Sequence, residues 1–417
     1  MRNQAQSAKM ASTRLALLST KEKNQALRTI ADRILYDMDA ILEANREDIA
    51  RGEKKGLGAM LDRLKLDEKR VRDIAKAVRN VANLPDPVGV ILEDRVLPNK
   101  IQLQRVRVPL GVIGAIIESR PNVTVDLVAL CLKSGNAAFI KGGSDALLTN
   151  RALMRLIRDA LSETVVSEDA VQFLDTSDRS AVSEFLKLSE FIDLMIPRGS
   201  QSLVDFVVKN ALMPVLGAGD AVVHLYIDEF ADMKKALDCA VNSKTRRVSV
   251  CNALDTLLVH KAVAEQFFPL MAKQMQKFHV EIRACKRTMV ILDGKYDCEK
   301  LREAKAKDFD TEFLDYILAV KVVSSFDDAL SHIAEHSTRH TDAIITEDSA
   351  LAQRFLREVD SACVYQNIST AFTDGGEFGL GAEVGIATGK LHARGPFALE
   401  GLTTYKWIAR GKGQVRK

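Results

Sequence analysis

The chain has 417 residues, enough for two or three domains, and its 47% hydrophobic and 28% charged residues are typical of a folded globular protein rather than a disordered one. The longest apolar run, residues 109–117, is far shorter than the ~20 residues that a membrane helix needs, so we expect no membrane span. The net charge is +3, and basic and acidic residues are interspersed rather than concentrated on one face, so we expect no nucleic-acid partner.

The six cysteines are scattered along the chain, and none of them forms a CxxC pair. This spacing predicts neither a zinc site nor a thioredoxin-like motif, and we expect no metal. Scattered thiols in a long chain without a signal peptide are typical of a reducing compartment, so we expect a cytoplasmic protein.

The N-terminal region, residues 10–84, is predicted to be helical because apolar residues recur at helical spacing, with a charged connector over 47–63. Two short strands are predicted next, over 88–96 and 101–108. A continuous apolar run over 111–118 follows them, which is the pattern of a buried strand in a parallel sheet.

Strands and helices then alternate. The predicted strands are 137–141, 171–174, 194–197 and 222–227, and the predicted helices are 123–134, 152–161, 180–186 and 202–208. Such alternation predicts a parallel sheet with helices on both faces, in which ligands bind at the carboxyl ends of the strands.

A second α/β unit is predicted to begin near residue 229, with a helix over 233–243. Its predicted strands are 254–260, 288–292, 317–322, 343–346 and 361–365. A glycine-rich segment over 375–389 is predicted to be a mobile loop. The whole pattern predicts an α/β fold.

Cys251 follows a polar segment that contains Lys244, Arg246 and Arg247. Nearby positive charge lowers the pKa of a thiol toward the reactive range, and the thiolate is the competent nucleophile. Cys251 can therefore be a nucleophile beside an anion-binding patch, to which these three cations contribute. The alternative is a small buried residue, which is a common fate of a free cysteine.

Two strand-to-helix turns have the composition of phosphate-binding turns. Lys141 and Ser144 lie in the first, where glycines would let a ligand approach the backbone at a helix start. Gly199 and Ser200 lie in the second. A turn with a solvated lysine and a helix capped by Ser200 are the alternatives, and two such turns in one sheet favour a dinucleotide.

Arg120 and Asn122 follow the buried strand over 111–118. The planar guanidinium of Arg120 can bind a carboxylate or a phosphate of a substrate. Asn122 can donate its amide to an oxyanion, and a helix cap at Asn122 is the alternative that the spacing favours.

Several segments together resemble the aldehyde dehydrogenase superfamily, and specifically its branch that reduces γ-glutamyl phosphate. They are PLGVIGAIIESRPNVTVDLVALCLKSGNAAFIKGGSDA, IPRGSQSLV, CNALDTLLVH and FGLGAEVGIATGKLHARGPFALEGLTTYKW. With similar wording near the N-terminus, the resemblance covers nearly the whole chain.

The resemblance implies an aldehyde-dehydrogenase-like fold with two parallel-sheet α/β domains and a small β oligomerisation arm. The implied parts are a cofactor-binding domain over 1–95 and 109–228, a catalytic domain over 229–395, and an arm over 96–108 and 396–417. It also implies a homodimer or a dimer-based oligomer, with the upstream glutamate kinase as a possible further partner.

The resemblance also implies the roles of individual residues. Cys251 corresponds to the catalytic cysteine, Asn122 to the oxyanion asparagine, Lys141 to the lysine of the adenosine ribose, Gly199 and Ser200 to the phosphate turn, and Glu312 to the glutamate of the nicotinamide ribose. Ser144 stands where NAD-preferring relatives often carry a glutamate that would repel a 2′-phosphate, so we expect NADPH.

One departure bears on the reaction. Val215 stands where hydrolytic aldehyde dehydrogenases carry a glutamate general base, so water is poorly activated and a thioester can exchange with phosphate. This departure fits an acyl-phosphate reductase, and the resemblance implies NADPH-dependent reduction of γ-glutamyl phosphate to glutamate 5-semialdehyde through a cysteine thioester, the second step of proline biosynthesis. The alternatives are another aldehyde or acyl-CoA dehydrogenase, and a non-catalytic or nucleic-acid-binding relative.

Overall fold

A computed structural model describes residues 1–58, 61–118, 120–178, 180–217 and 219–416. The chain divides into two compact units. The first comprises Met1–Gly217, Gly379–Gly385 and Phe397–Lys417, and the second comprises Ala218–Phe378 and Ile386–Pro396. No helix within the described ranges is long and apolar enough to cross a membrane.

Among the described residues, the first five helices of the first unit follow one another at its N-terminus, as the sequence predicts, and four more helices alternate with strands. They are α1 (Arg2–Leu15), α2 (Thr20–Tyr36), α3 (Met38–Lys54), α4 (Leu61–Leu64), α5 (Glu68–Asn83), α6 (Pro121–Lys133), α7 (Leu147–Ser162), α8 (Ser180–Phe185) and α9 (Gln201–Asn210). Ser19 and Glu22 form a reciprocal capping box that starts α2, and Asp67 caps α5. The connector predicted over 47–63 is wrong in its first half, because α3 continues to Lys54 with one face buried.

A parallel sheet forms the centre of the first unit. Its strands are β3 (Val112–Ile117), β4 (Ala137–Gly142), β5 (Val171–Phe173) and β6 (Leu194–Arg198), in the order β5-β4-β3-β6. Every residue of β3 is buried, as its continuous apolar run predicts. In the register, Ile117 lies opposite Gly142 on one side and Arg198 on the other, so three strand ends meet at one edge.

A separate antiparallel sheet also belongs to the first unit. It contains β1 (Ile91–Val96), β2 (Gln102–Pro109) and β16 (Thr403–Arg410), with β2 in the centre. β2, apart from Pro109, and β16 lie in the ranges predicted for the arm. The arm boundary at 96 is too late, because β1 pairs with β2 from Ile91 onward rather than with the parallel sheet.

The second unit is built on a parallel sheet with the order β10-β9-β11-β8-β7-β12-β13 among its described residues. Its strands are β7 (His224–Ile227), β8 (Thr256–His260), β9 (Glu281–Ala284), β10 (Leu301–Glu303), β11 (Ile317–Val323), β12 (Thr341–Ile345) and β13 (Cys363–Gln366). Its helices are α10 (Met233–Thr245), α11 (Lys261–Met275), α12 (Lys286–Leu292), α13 (Phe326–His336) and α14 (Ser349–Glu358).

Three predictions for the second unit need correction. The predicted boundary at 228/229 is too late, because β7 pairs with β8 and β12 and so belongs to the second sheet. The predicted strand over 288–292 is the helix α12. The glycine-rich segment over 375–389 contains a short strand, β14 (Gly385–Ala387), which pairs with β15 (Gly395–Phe397).

Candidate cofactor and catalytic sites

The turn after β6 holds a carboxylate at the start of α9. Because Ile117 and Arg198 are register partners, the next residues along each strand, Glu118 and Gly199, also meet. The backbone N–H of Ser200 donates to Glu118 Oε2 at 2.7 Å, and the Ser200 hydroxyl donates to Oε1 at 3.0 Å. The turn predicted to bind phosphate thus presents donors suited to an oxyanion.

Gly199 packs closely against the Glu118 carboxylate. A Cβ at position 199 would lie 2.4 Å from Glu118 Oε2, well inside van der Waals contact. Ser200 occupies the N-cap position of α9, but its side chain makes no capping hydrogen bond. The capping alternative for Ser200 therefore holds for its position along the helix and not for its side-chain bonding.

The turn after β4 is arranged differently. Lys141 is nearly buried, at 8% exposure, and Ser144 is exposed in a short 3-10 segment, Ser144–Ala146. The next helix, α7, receives a fully buried carboxylate from α3: Asp48 accepts the Thr149 N–H at 2.8 Å and the Thr149 hydroxyl at 2.7 Å. The helix-start donors that we expected to favour phosphate here are thus bonded to Asp48.

Gly142 has a packing role in the same turn. A Cβ at this position would lie 2.4 Å from the side-chain amide nitrogen of Asn150 on α7. The Asn150 side chain thus occupies the space beside Gly142 that we expected a ligand to use. Lys141 and Ser144 remain the residues of this turn that can meet a cofactor, and their role stays a prediction.

Arg120 and Asn122 lie at the start of α6. Arg120 is the N-cap residue, without a side-chain cap, and Pro121 is the first helical residue. Asn122 is therefore inside the first turn, and the capping alternative for it is wrong. Its exposed amide is hydrogen-bonded to Asp126, which partly opposes the burial that raises the pKa of Asp126 to about 6.

Cys251 lies in a turn between α10 and β8 and packs, half-buried, against the main hydrophobic core of the second unit. The next residue anchors the turn: the Asn252 amide donates to the carbonyl oxygen of Thr373 at 3.0 Å, and the Thr370 hydroxyl donates to the Asn252 carbonyl at 2.7 Å. The hydrogen bonds of Asn252 thus anchor the turn, and Cys251 itself is partly exposed, as a nucleophile requires.

The three cations before Cys251 divide into two kinds. Arg246 and Arg247 are exposed just after α10 and can meet an anion. Lys244 is fully buried, donates to the Leu254 carbonyl at 2.9 Å, and has its pKa lowered to about 8 by burial, with Asp255 opposing. Lys244 supports the turn, so only the arginines fit the predicted anion-binding patch.

Glu312 lies in a group of carboxylates that the sequence did not predict. Burial, Asp255 and Asp220 raise the pKa of Glu312 to about 7, while the Ala221 N–H opposes them. Asp255 accepts the Phe313 N–H at 3.0 Å and the Val223 N–H at 3.3 Å, and burial raises its pKa to about 6. Asp255 therefore holds the backbone at Phe313, the neighbour of Glu312, and at Val223.

Two carboxylates were missed for different reasons. Glu118 follows a buried strand at the edge where ligands are expected, so strand pairing would have pointed to it, but the pairing was known only from the structure. Asp255 lies four residues after the cysteine within a hydrophobic run, where a carboxylate is unusual, and that contrast was a usable signal.

Comparisons with known proteins cover the whole chain. A model of the aldehyde dehydrogenase family matches residues 2–290. The chain is similar to the γ-glutamyl phosphate reductase of Thermoanaerobacter sp. (strain X514), with 50% identity over 99% of both chains. It is also similar to that of Clostridium tetani (strain Massachusetts / E88), with 48% identity over 99% of this chain and 98% of the relative.

Solved structures show a similarity over the same length of the chain. The crystal structure of γ-glutamyl phosphate reductase from Thermotoga maritima is 44% identical, with a TM-score of 0.96 over 100% of this chain and 99% of that chain. An acetylating aldehyde dehydrogenase from Geobacillus thermoglucosidasius has a TM-score of 0.70 at 17% identity, over 100% of this chain and 97% of that chain. The second likeness shows the fold alone.

Proposed function

The chain belongs to the aldehyde dehydrogenase family, within its γ-glutamyl phosphate reductase group, and on this premise we propose the reaction that it performs. It reduces γ-glutamyl phosphate to glutamate 5-semialdehyde and phosphate, with NADPH as the hydride donor, in the second step of proline biosynthesis from glutamate. Glutamate kinase supplies the substrate upstream, and the reaction takes place in the cytoplasm.

The single observation that carries the proposal is the retention of Cys251 together with Val215 at the position of the general base. Val215 is fixed by backbone pairing beside β6: the Met195 N–H donates to the Pro214 carbonyl and the Leu216 N–H donates to the Met195 carbonyl, both at 2.9 Å. A valine side chain cannot accept a proton from water, so a thioester on Cys251 persists until phosphate or hydride reaches it.

In the first chemical step, the Cys251 thiolate forms a C–S bond with the acyl carbon and the C–O bond to phosphate breaks. The backbone N–H of Cys251 stabilises the developing oxyanion, and the Asn122 amide is our candidate for the second donor. Arg246 and Arg247 are exposed cations in the same segment as the nucleophile, and they receive the leaving phosphate. Arg120 is our further candidate for holding a substrate anion.

The residues that we assign to the cofactor fit a dinucleotide phosphate. The Ser200 N–H and hydroxyl already bond a carboxylate, so the same donors suit a pyrophosphate oxygen. Gly199 and Ser200 would hold the pyrophosphate, Lys141 and Ser144 the adenosine ribose with its 2′-phosphate, and Glu312 the nicotinamide ribose. When bound, NADPH would supply a hydride to the thioester carbon, and the sulfur of Cys251 would be released as the thiolate.

The reverse reaction tests this proposal directly. We expect NADP⁺ reduction with glutamate 5-semialdehyde to require inorganic phosphate, and to be lost in Cys251→Ala, because the thioester must form on that sulfur before phosphate can attack. Cys298→Ala is the matched control, since Cys298 is an exposed cysteine outside the proposed site, and it should retain wild-type turnover.

Either of two results would contradict the scheme. Substantial turnover in Cys251→Ala would show that Cys251 is not the nucleophile. Turnover without phosphate would mean that water or another acceptor attacks the thioester, and the argument from Val215 would then be wrong.

A further inference from the structure

We propose that Glu118 sets the affinity for the dinucleotide, because its carboxylate occupies the Gly199–Ser200 turn as an internal anion that the cofactor's pyrophosphate must displace. The inference rests on the proposed cofactor role of that turn. It assigns to Glu118 a function that neither the catalytic scheme nor the sequence pattern requires.

The Glu118 carboxylate engages both donors of Ser200 in this turn. Both Glu118 oxygens accept hydrogen bonds from Ser200, one from the N–H at 2.7 Å and one from the hydroxyl at 3.0 Å. The carboxylate also lies against Gly199, where even a Cβ would come within 2.4 Å of Oε2. The same donors cannot bind Glu118 and a pyrophosphate at the same time.

The charge at this helix start comes from another strand. The first turn of α9 contains no acidic residue, and its N-cap side chain makes no capping bond. A helix N-terminus carries a partial positive charge that favours an anion, and hydrogen bonds to a charged acceptor are about twice as strong as neutral ones. Glu118 therefore stabilises the empty turn and competes electrostatically with any phosphate that enters it.

Displacement needs only a change of side-chain rotamer. The Glu118 backbone is fixed, because its N–H donates to the Arg198 carbonyl at 2.8 Å as an extension of the β3–β6 pairing. Its side chain is half-buried at the sheet edge, so solvent is within reach of the carboxylate once it leaves Ser200. The turn itself can thus stay preformed while the anion on it is exchanged.

Removing the charge should tighten cofactor binding. Glu118→Gln keeps the size and one oxygen acceptor but replaces a charge-assisted hydrogen bond with a neutral one, so the pyrophosphate meets a weaker competitor. We expect NADPH to bind about fivefold more tightly to Glu118→Gln than to the wild type. Glu118→Ala, which removes the competitor completely, should show a change in the same direction.

The dissociation constant of NADPH is measured by its fluorescence. That of adenosine 2′-monophosphate, which carries the 2′-phosphate but no pyrophosphate, is measured by its competition with NADPH. The affinity for adenosine 2′-monophosphate should be unchanged in both Glu118 variants. Asp205→Asn is the matched control, because Asp205 is a carboxylate on the same helix that accepts from Gln201 at 2.6 Å, and it should leave both affinities unchanged.

The outcomes separate this inference from the proposed function. If the wild type binds both ligands and folded Glu118→Gln binds NADPH no more tightly, the inference alone is overturned. An equal gain for adenosine 2′-monophosphate would also overturn it, because the effect would not depend on the pyrophosphate. If the wild type binds neither ligand, the proposal of a nicotinamide cofactor is contradicted, and the inference about Glu118 is contradicted with it.

Discussion

The expected preference for NADPH depends on the absence of a carboxylate at Ser144. We predict that Ser144→Glu weakens the binding of NADPH and favours the use of NADH. A carboxylate at this position would repel a 2′-phosphate and would instead accept hydrogen bonds from the ribose hydroxyls. Like charges in direct opposition cost several kcal/mol, so the ratio of kcat/KM for the two cofactors should shift by roughly a hundredfold or more. The measurement is steady-state kinetics with each cofactor.

The control for Ser144→Glu is Ser331→Glu, which adds the same charge on the exposed face of α13. It should leave the cofactor ratio unchanged. An unaltered ratio in Ser144→Glu would show that Ser144 does not lie near the 2′ position, and the correspondence with NAD-preferring relatives would fail.

Glu312 links the proposed cofactor site to stability. Its pKa is raised from 4.5 to about 7, chiefly by burial, so between these values the folded state holds a proton that the unfolded state has lost. The contribution of Glu312 to stability therefore falls as pH rises through this window. We predict that Glu312→Gln is more stable than the wild type at pH 8, by roughly 1–3 kcal/mol, and similar to it below pH 4.5.

Thermal unfolding at pH 4.5 and pH 8 measures this difference, with the exposed Glu265→Gln on α11 as the control that should change neither curve. The same Glu312→Gln variant should bind NADPH less tightly if Glu312 holds the nicotinamide ribose. A variant that gains no stability at pH 8 would show that the carboxylate is adequately solvated in the folded state.

The start of α7 depends on a residue from another helix. Asp48, on α3, is fully buried and accepts from the Thr149 N–H and hydroxyl, and it also pairs with Arg51. Asp48→Ala leaves these buried donors unsatisfied, so we predict a loss of about 2–4 kcal/mol in the free energy of unfolding. Denaturant titration measures it, and Asp48→Asn should recover part of the loss.

Asp37→Ala is the matched control for Asp48→Ala, because Asp37 stands at the N-cap of α3 without a side-chain cap bond. Asp37→Ala should lower the free energy of unfolding much less than Asp48→Ala does. An equal loss in the two variants would mean that the Asp48 contacts to α7 do not stabilise the fold beyond what any helix-start aspartate contributes.

Local patterns predicted many of the elements, and the failure at 288–292 has a local cause. The run over 288–292 is rich in β-branched residues, which favours a strand, yet Thr288, Ile291 and Leu292 are buried at the three- and four-residue spacing of a helix. The true strand, β9, alternates buried and half-buried residues and includes the charged Glu281 and Arg283. Its charges are tolerated because Arg283 pairs with both Glu281 and Asp308.

The assembly of elements was less predictable than the elements themselves. The alternation of strands and helices predicted two parallel sheets, but it could not say which sheet a strand joins. β7 follows the first sheet in sequence and yet pairs with β12, more than a hundred residues later. Likewise Cys251, Arg246 and Arg247 share one segment and were predicted together, whereas Glu118 and Ser200 meet across 82 residues through strand pairing.

The three-stranded sheet carries the last prediction, which concerns oligomerisation. β16 is an edge strand whose side chains include Tyr405 and Trp407, 50% and 46% exposed, with the Arg105 guanidinium stacked over both rings. A long edge strand with exposed aromatic residues is an aggregation site unless another surface covers it. We predict that a second copy of the chain covers it, as the family resemblance implies.

Trp407→Glu should therefore weaken self-association, because it places a charge where an aromatic anchor would be buried, and anchors of this kind contribute 2 kcal/mol or more to an interface. The dissociation constant measured by sedimentation equilibrium should rise by roughly thirtyfold or more. Tyr36→Glu, at an exposed aromatic residue at the end of α2, should leave association unchanged. A wild-type chain that sediments as a monomer at micromolar concentration would contradict the prediction, and the edge of β16 would then need another partner.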